Sequence, residues 1–116
     1  MPPPSQLSIA TSALIRLVKE ERSYHKEAEQ QQASITKLEQ GGGDENAEFT
    51  LKQERNGLEQ TKAMFPQLKA KIEDALARLE QQLEQDKGPG DQSSPEDITR
   101  AKEAVAEAKT AIREAS

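Results

Sequence analysis

Leucine, isoleucine and alanine recur at steps of three, four and seven along most of the chain, with charged and amide side chains between them. From Leu7 two heptad lines interleave: Leu7, Leu14, Glu21, Ala28, Ile35 and, three residues on, Ala10, Leu17, Tyr24, Gln31, Leu38. This spacing puts the apolar residues on one side of a helix that packs against other helices. It predicts a helix over about 6–40, roughly 50 Å long. The glycines at 41–43 end it, because glycine tolerates the left-handed backbone that closes a helix C-terminus. The preceding "MPPP" cannot extend the helix backwards, and residues 1–5 read as a flexible tail.

The pattern resumes after the glycines. Leu51, Leu58, Phe65, Ile72 and Leu79 stand seven apart, reinforced by Leu68, Ala75, Leu76 and Leu83. Asp44 or Asn46 can cap this second helix, with Glu45 and Glu48 where the helix dipole favours acids. It spans about 45–86, carries Pro66 in its interior, where a kink is expected, and stops at "KGPGDQSS". "SPED" at 94–97 starts a third helix over about 95–115, with Ser94 as cap and Pro95 at the first helical position. Its seam is Ile98, Ala101, Val105, Ala108, Ile112 and Ala115. Three acid-first pairs support these helices: Glu48 with Lys52, Asp74 with Arg78 and Glu96 with Arg100.

Two short connections make neighbouring helices antiparallel, so the expected architecture is all-α. It is an antiparallel up-down-up three-helix bundle, a single domain over 1–116 with coiled-coil-like packing and a shorter third helix. Helix three should cover Leu7 to Val18 and about Leu68 to Leu83, where the seams are richest in leucine and isoleucine. Towards the glycines helices one and two have only each other, and there the seam carries Glu21, Gln31, Glu54 and Thr61.

Composition narrows the function. Of 116 residues 32% are charged and 3% aromatic, which suits long helices and not a compact α/β core. The net charge of −5 has the wrong sign for a protein that neutralises phosphates, so nucleic acid is not expected as a partner. With no cysteine there are no disulfides or thiolate metal sites. No apolar run is long enough to span a bilayer and "MPPPSQ" lacks the features of a signal peptide, so the expected address is cytoplasmic, without membrane association.

No enzyme chemistry emerges. The single histidine, His25, has no cysteine to activate and reads as a solvated residue beside the seam. "GGGDEN" lacks the Lys and Ser/Thr of a phosphate loop and is too short for an EF-hand calcium loop. No metal, cofactor or catalytic residue is expected. A chain of this kind binds a partner along its faces or acts as a spacer.

The stretch "LVKEERSYHKEAEQQ" at 17–31 carries that choice. With Leu14 and Leu17 in the seam, Arg16, Lys19, Ser23, Lys26 and Gln30 fall on the outer side, and Glu20 and Glu27 flank the seam. The result is a polar stripe of both signs, either a solvated face or a docking surface. Tyr24 stands in the seam with its hydroxyl within reach of the surface, and Phe65 is assigned to the core.

This stretch also resembles the first helix of the tubulin-specific chaperone A family, the tubulin-folding cofactors A. The resemblance lies in Leu17, Val18, Lys19, Glu20, Tyr24, Lys26, Glu27, Ala28 and Gln31, and continues in Met64, Phe65, Pro66 and the leucine-rich run to Leu83. It covers most of 7–86. The chain departs from the family pattern at the glycine hinge, at Phe65 and Gln67, and in the "KGPGDQSSP" loop. The resemblance implies an antiparallel three-helix bundle that captures β-tubulin released from the cytosolic chaperonin and holds it for αβ-heterodimer assembly, without ATP or metal. It implies contact with other tubulin cofactors only indirectly, a cytoplasmic, cytoskeleton-associated setting, and a monomer or weak homodimer. β-Tubulin is then expected on Arg16, Lys19, Glu20, Ser23, Tyr24, Lys26, Glu27 and Gln30, since a client that must be released suits a polar interface. The competing expectation is a structural module, either a spectrin-like three-helix repeat or a coiled-coil scaffold. Against it stand the lack of internal repeats and of a core tryptophan, and two glycine breaks that favour folding back.

Overall fold

In the computed structural model, which describes residues 5–41, 43–85 and 93–114, the chain is an antiparallel three-helix bundle. Helix α1 spans Gln6–Glu39, α2 Ala47–Gln85 and the shorter α3 Pro95–Glu114. Residues 1–4 of the expected tail at 1–5, most of the second loop (86–92) and Ala115 lie outside the described residues, whereas Ser5, the last residue of that tail, is part of the start of α1.

Local chemistry explains the boundaries. Ser5 Oγ accepts a hydrogen bond from the Ser8 amide at 3.0 Å and so caps α1. At the other end Gly41 has φ of 87° and its amide donates to the Leu38 carbonyl at 3.1 Å. Only glycine takes that conformation without strain. Two residues on, a Cβ on Gly43 would lie 2.6 Å from the Ala47 Cβ, so the turn closes onto α2 only because that carbon is missing. Asp44 Oδ1 accepts from the Asn46 amide at 2.9 Å, an Asx turn, and the Asn46 carbonyl receives the Thr50 amide at 3.0 Å. The turn therefore takes up residues 45 and 46, and α2 starts at Ala47, not at 45. Ser94 Oγ accepts from the Asp97 amide at 3.1 Å, the expected cap of α3. Pro66 is exposed inside α2, which continues on both sides of it.

The helices group into two compact units. The first, drawn from residues up to Glu20 and from Leu68 onward, holds all of α3 and an apolar core. Leu7, Leu14, Val18, Ile72, Leu76 and Leu79 meet Ala101, Ala104, Ala108 and Ala111 there. Fully burying each of these leucines contributes about 1.5–3 kcal/mol relative to leaving it exposed. Across the unit Lys109 pairs with Glu80 at 3.4 Å and Arg100 donates to Ser12 Oγ at 3.3 Å. Asp74 and Arg78 form their expected pair at 3.3 Å, both well exposed. At such exposure the pair contributes little.

The second unit, Glu21–Gln67, is an antiparallel pair made by the end of α1 and the start of α2. Its buried positions are Ile35, Leu58, Glu21 and Thr61, so half of them are polar. Thr61 donates its hydroxyl to the Gly57 carbonyl at 2.9 Å, which makes its burial tolerable.

Two seams differ in depth from the sequence pattern. In α1 the line of Leu7, Leu14, Glu21 and Ile35 is buried as expected. Its companion is not the Ala10 line, which is half-buried throughout. Thr11 and Val18, one residue further on, go deepest. Thr11 can do so because its hydroxyl donates to the Leu7 carbonyl at 2.7 Å, leaving a methyl to pack. In α3 the innermost line is entirely alanine, adding Ala104 and Ala111 to the expected Ala101 and Ala108. Ile98, Val105 and Ile112 pack half-buried along its edges. Small side chains on the inner line let the helix backbones approach closely.

Candidate functional site

Helix α1 keeps a polar side because the seam takes up only the positions at three- and four-residue steps. In the first unit Arg16, Lys19 and Glu20 are exposed; in the second, Ser23, Lys26, Glu27 and Gln30 are exposed. Both signs of charge are presented on a regular helix, so the side chains start from fixed backbone positions. Tyr24, the remaining residue of the expected surface, is half-buried.

The second unit contains more chemistry than the exposed face. Glu21 is buried at 3% exposure, and its Oε1 lies 2.7 Å from His25 Nε2. Its Oε2 is shut off from solvent without a hydrogen-bond partner. His25, expected to be a solvated residue, has a side chain 42% exposed and stacks on Phe65 with ring centroids 4.4 Å apart. Phe65, expected in the core, is half-buried and forms the other side of that stack. Arg55 bridges from α2 to Glu39 of α1 at 2.8 Å.

Next to this cluster an open groove runs between the two helices, with Tyr24, Glu27 and Gln31 on one side and Gly57, Gln60, Thr61 and Met64 on the other. Gln31 lies across Gly57: a Cβ there would be 3.0 Å from Gln31 Nε2. The Gln31 Oε1 is buried and has no partner. The structure thus joins two of the expected site residues, Tyr24 and Glu27, to five that were not among them, Gln31, Gly57, Gln60, Thr61 and Met64. One sequence signal points to them. Gly57 interrupts a run of good helix formers where no turn is called for, and an interior glycine suggests close approach of another group.

The first unit has a groove of its own, where Ile9, Ala10, Ala13 and Leu17 of α1 face Ala75 of α2 and Lys71, Asp74 and Arg78 line the edge. Ile9 is 49% exposed there. Phe49, at the start of α2, is 64% exposed. Among the described residues no group of three or more His, Cys, Asp or Glu could hold a metal ion, and no helix is long and apolar enough to cross a membrane. The arrangement supplies charges, hydrogen-bond groups and shallow grooves on helical backbone, which are the means of recognising a macromolecular surface.

Known proteins share this architecture and sequence. The tubulin folding cofactor A of Arabidopsis thaliana, seen in a crystal structure, superposes with a TM-score of 0.75 over 90% of this chain and 92% of its own, at 34% identity. Tubulin-specific chaperone A of Bos taurus is 32% identical over 82 residues, 71% of this chain and 73% of the bovine one. The protein of the same name from Saccharomyces cerevisiae is 39% identical over 70 residues, 60% of this chain and 63% of the yeast one. The family model described as tubulin binding cofactor A matches residues 2–105, and the chain belongs to that family.

Proposed function

We propose that this protein is a post-chaperonin β-tubulin holder. A tubulin chaperone role follows from its family. The finer reading is that it binds β-tubulin intermediates released from the cytosolic chaperonin, keeps them from misassociating, and yields them for αβ-heterodimer assembly. It acts in the cytoplasm, associated with the cytoskeleton, as a monomer or weak homodimer, and other tubulin-folding cofactors meet it only indirectly.

The observation that carries the mechanism is the open polar side of α1, where Arg16, Lys19, Glu20, Ser23, Lys26, Glu27 and Gln30 are exposed. Holding and release need no bond chemistry. They need an interface whose charges steer the encounter and whose polar contacts exchange readily with water. A client docked on exposed polar residues leaves without a large apolar area to separate.

The test is size-exclusion chromatography of the protein with β-tubulin freshly released from chaperonin, beside a Lys19→Glu/Lys26→Glu variant. Co-elution of the wild type and loss of the complex in the variant is the expected result. Retention by both removes the α1 face from the proposal, and retention by neither removes the holder function.

A further inference from the structure

We infer that the groove of the second unit receives an arginine side chain of the bound client. This deepens the proposed function and rests on it.

Charge gives the first argument. Glu27 is the only ionisable carboxylate lining the groove and no lysine or arginine lines it, so it favours a cation and repels an acidic side chain. Shape gives the second. Glycine in a helix interior is unfavourable, yet Gly57 stands there, and its missing Cβ leaves room for Gln31 to lie across α2. Unmet hydrogen bonding gives the third. Gln31 Oε1 is buried and unpartnered in the free chain, and a buried acceptor without a donor is costly. The last torsion of a glutamine is soft, so the amide of Gln31, which lines the groove, is free to rotate and offer that oxygen to a donor bound there.

A guanidinium meets all three conditions. It is planar and permanently charged, and its five N–H donors reach the Glu27 carboxylate and the Gln31 carbonyl together. The half-buried Tyr24 and Met64 supply an aromatic ring and a polarisable thioether against which the flat head and the aliphatic stem can pack. A lysine ammonium is a compact charge and uses neither the flat geometry nor the paired acceptors.

The direct test is an NMR titration of the isotope-labelled full chain with N-acetyl-arginine amide and with its uncharged citrulline counterpart. The expected result is saturable shifts, in the millimolar range, of the Gln31 side-chain amide, the Gly57 amide and the Tyr24 ring, several-fold weaker with citrulline. Equal shifts with both probes, or shifts scattered over surface carboxylates, overturn the inference. In parallel, Glu27→Gln and Gly57→Ala are compared with wild type for retention of β-tubulin. Alanine is the better helix former, so Gly57→Ala remains folded while its methyl group displaces Gln31. Both variants should bind roughly tenfold more weakly, the scale of losing one charge-assisted hydrogen bond. Undiminished binding by both overturns the arginine site and leaves the holder function standing; a wild type that retains no tubulin overturns the two together.

Discussion

The imidazole of His25 lies against the ring of Phe65, with centroids 4.4 Å apart and planes inclined by 25°, while its Nε2 stands 2.7 Å from Glu21 Oε1. One side chain thus ties a buried carboxylate on its own helix to an aromatic ring on the facing helix. In a unit whose buried aliphatic side chains, among the described residues, are Ile35 and Leu58, this contact is a substantial part of what pairs the helices. A double-mutant cycle of His25→Ala and Phe65→Ala, followed by urea unfolding, should give a coupling energy of about 0.5–1.5 kcal/mol. Additive losses would show that the stack contributes no more than the area it covers.

Glu21 should be a position of stored instability. It takes a seam site that elsewhere in α1 holds Leu7, Leu14 and Ile35, and one of its oxygens has no partner. Glu21→Leu is expected to raise the urea midpoint by an amount equivalent to about 1–3 kcal/mol. The partly exposed His25 can turn to water for its lost acceptor. A lowered midpoint would mean that the carboxylate supports the pair in a way that its free oxygen does not suggest.

Close packing of α3 leads to an asymmetric prediction. Ala104 is 3% exposed on the inner line, whereas Ala106 faces solvent two residues away. Ala104→Leu should cost about 1–3 kcal/mol through overpacking. Ala106→Leu should stay within about 0.5 kcal/mol of wild type. Thermal unfolding followed by circular dichroism separates the two, and equal effects would contradict the alanine seam.

The ends of the helices make a third pair of sites. Ser94→Ala removes the acceptor of the Asp97 amide and should cost about 1 kcal/mol. Gly41→Ala forces a side chain onto a left-handed backbone at φ of 87° and should cost about 1–2 kcal/mol, although no atom lies within 4 Å of the new methyl. If Gly41→Ala proved neutral, the first turn would have to relax to another conformation.

Much of this was legible in the residues. The leucine lines of α1 and α2, the glycine stop and the Ser94–Pro95 start depend on local rules that hold whatever the tertiary structure. What escaped depends on contrast between neighbouring positions. Ala10 is less polar than Thr11, yet Thr11 donates its hydroxyl to the Leu7 carbonyl and goes deeper. In α3 larger Ile98, Val105 and Ile112 drew the seam toward themselves, while the alanines beside them are the side chains small enough for the inner line. The exposed side of α1 was readable as what the seam leaves over. The groove was not, because Gln31 and Gly57 stand 26 positions apart in the chain and become a pair only when the helices fold back.

Leucine and isoleucine pair with one another almost as well when two heptad helices slide by one repeat. The polar interior of the second unit removes that freedom. Shifted by seven residues, Gln31 would no longer lie over a glycine, and His25 would lose the ring of Phe65. Polar and aromatic contacts within the pair, and not its leucines alone, therefore restrict it to a single alignment.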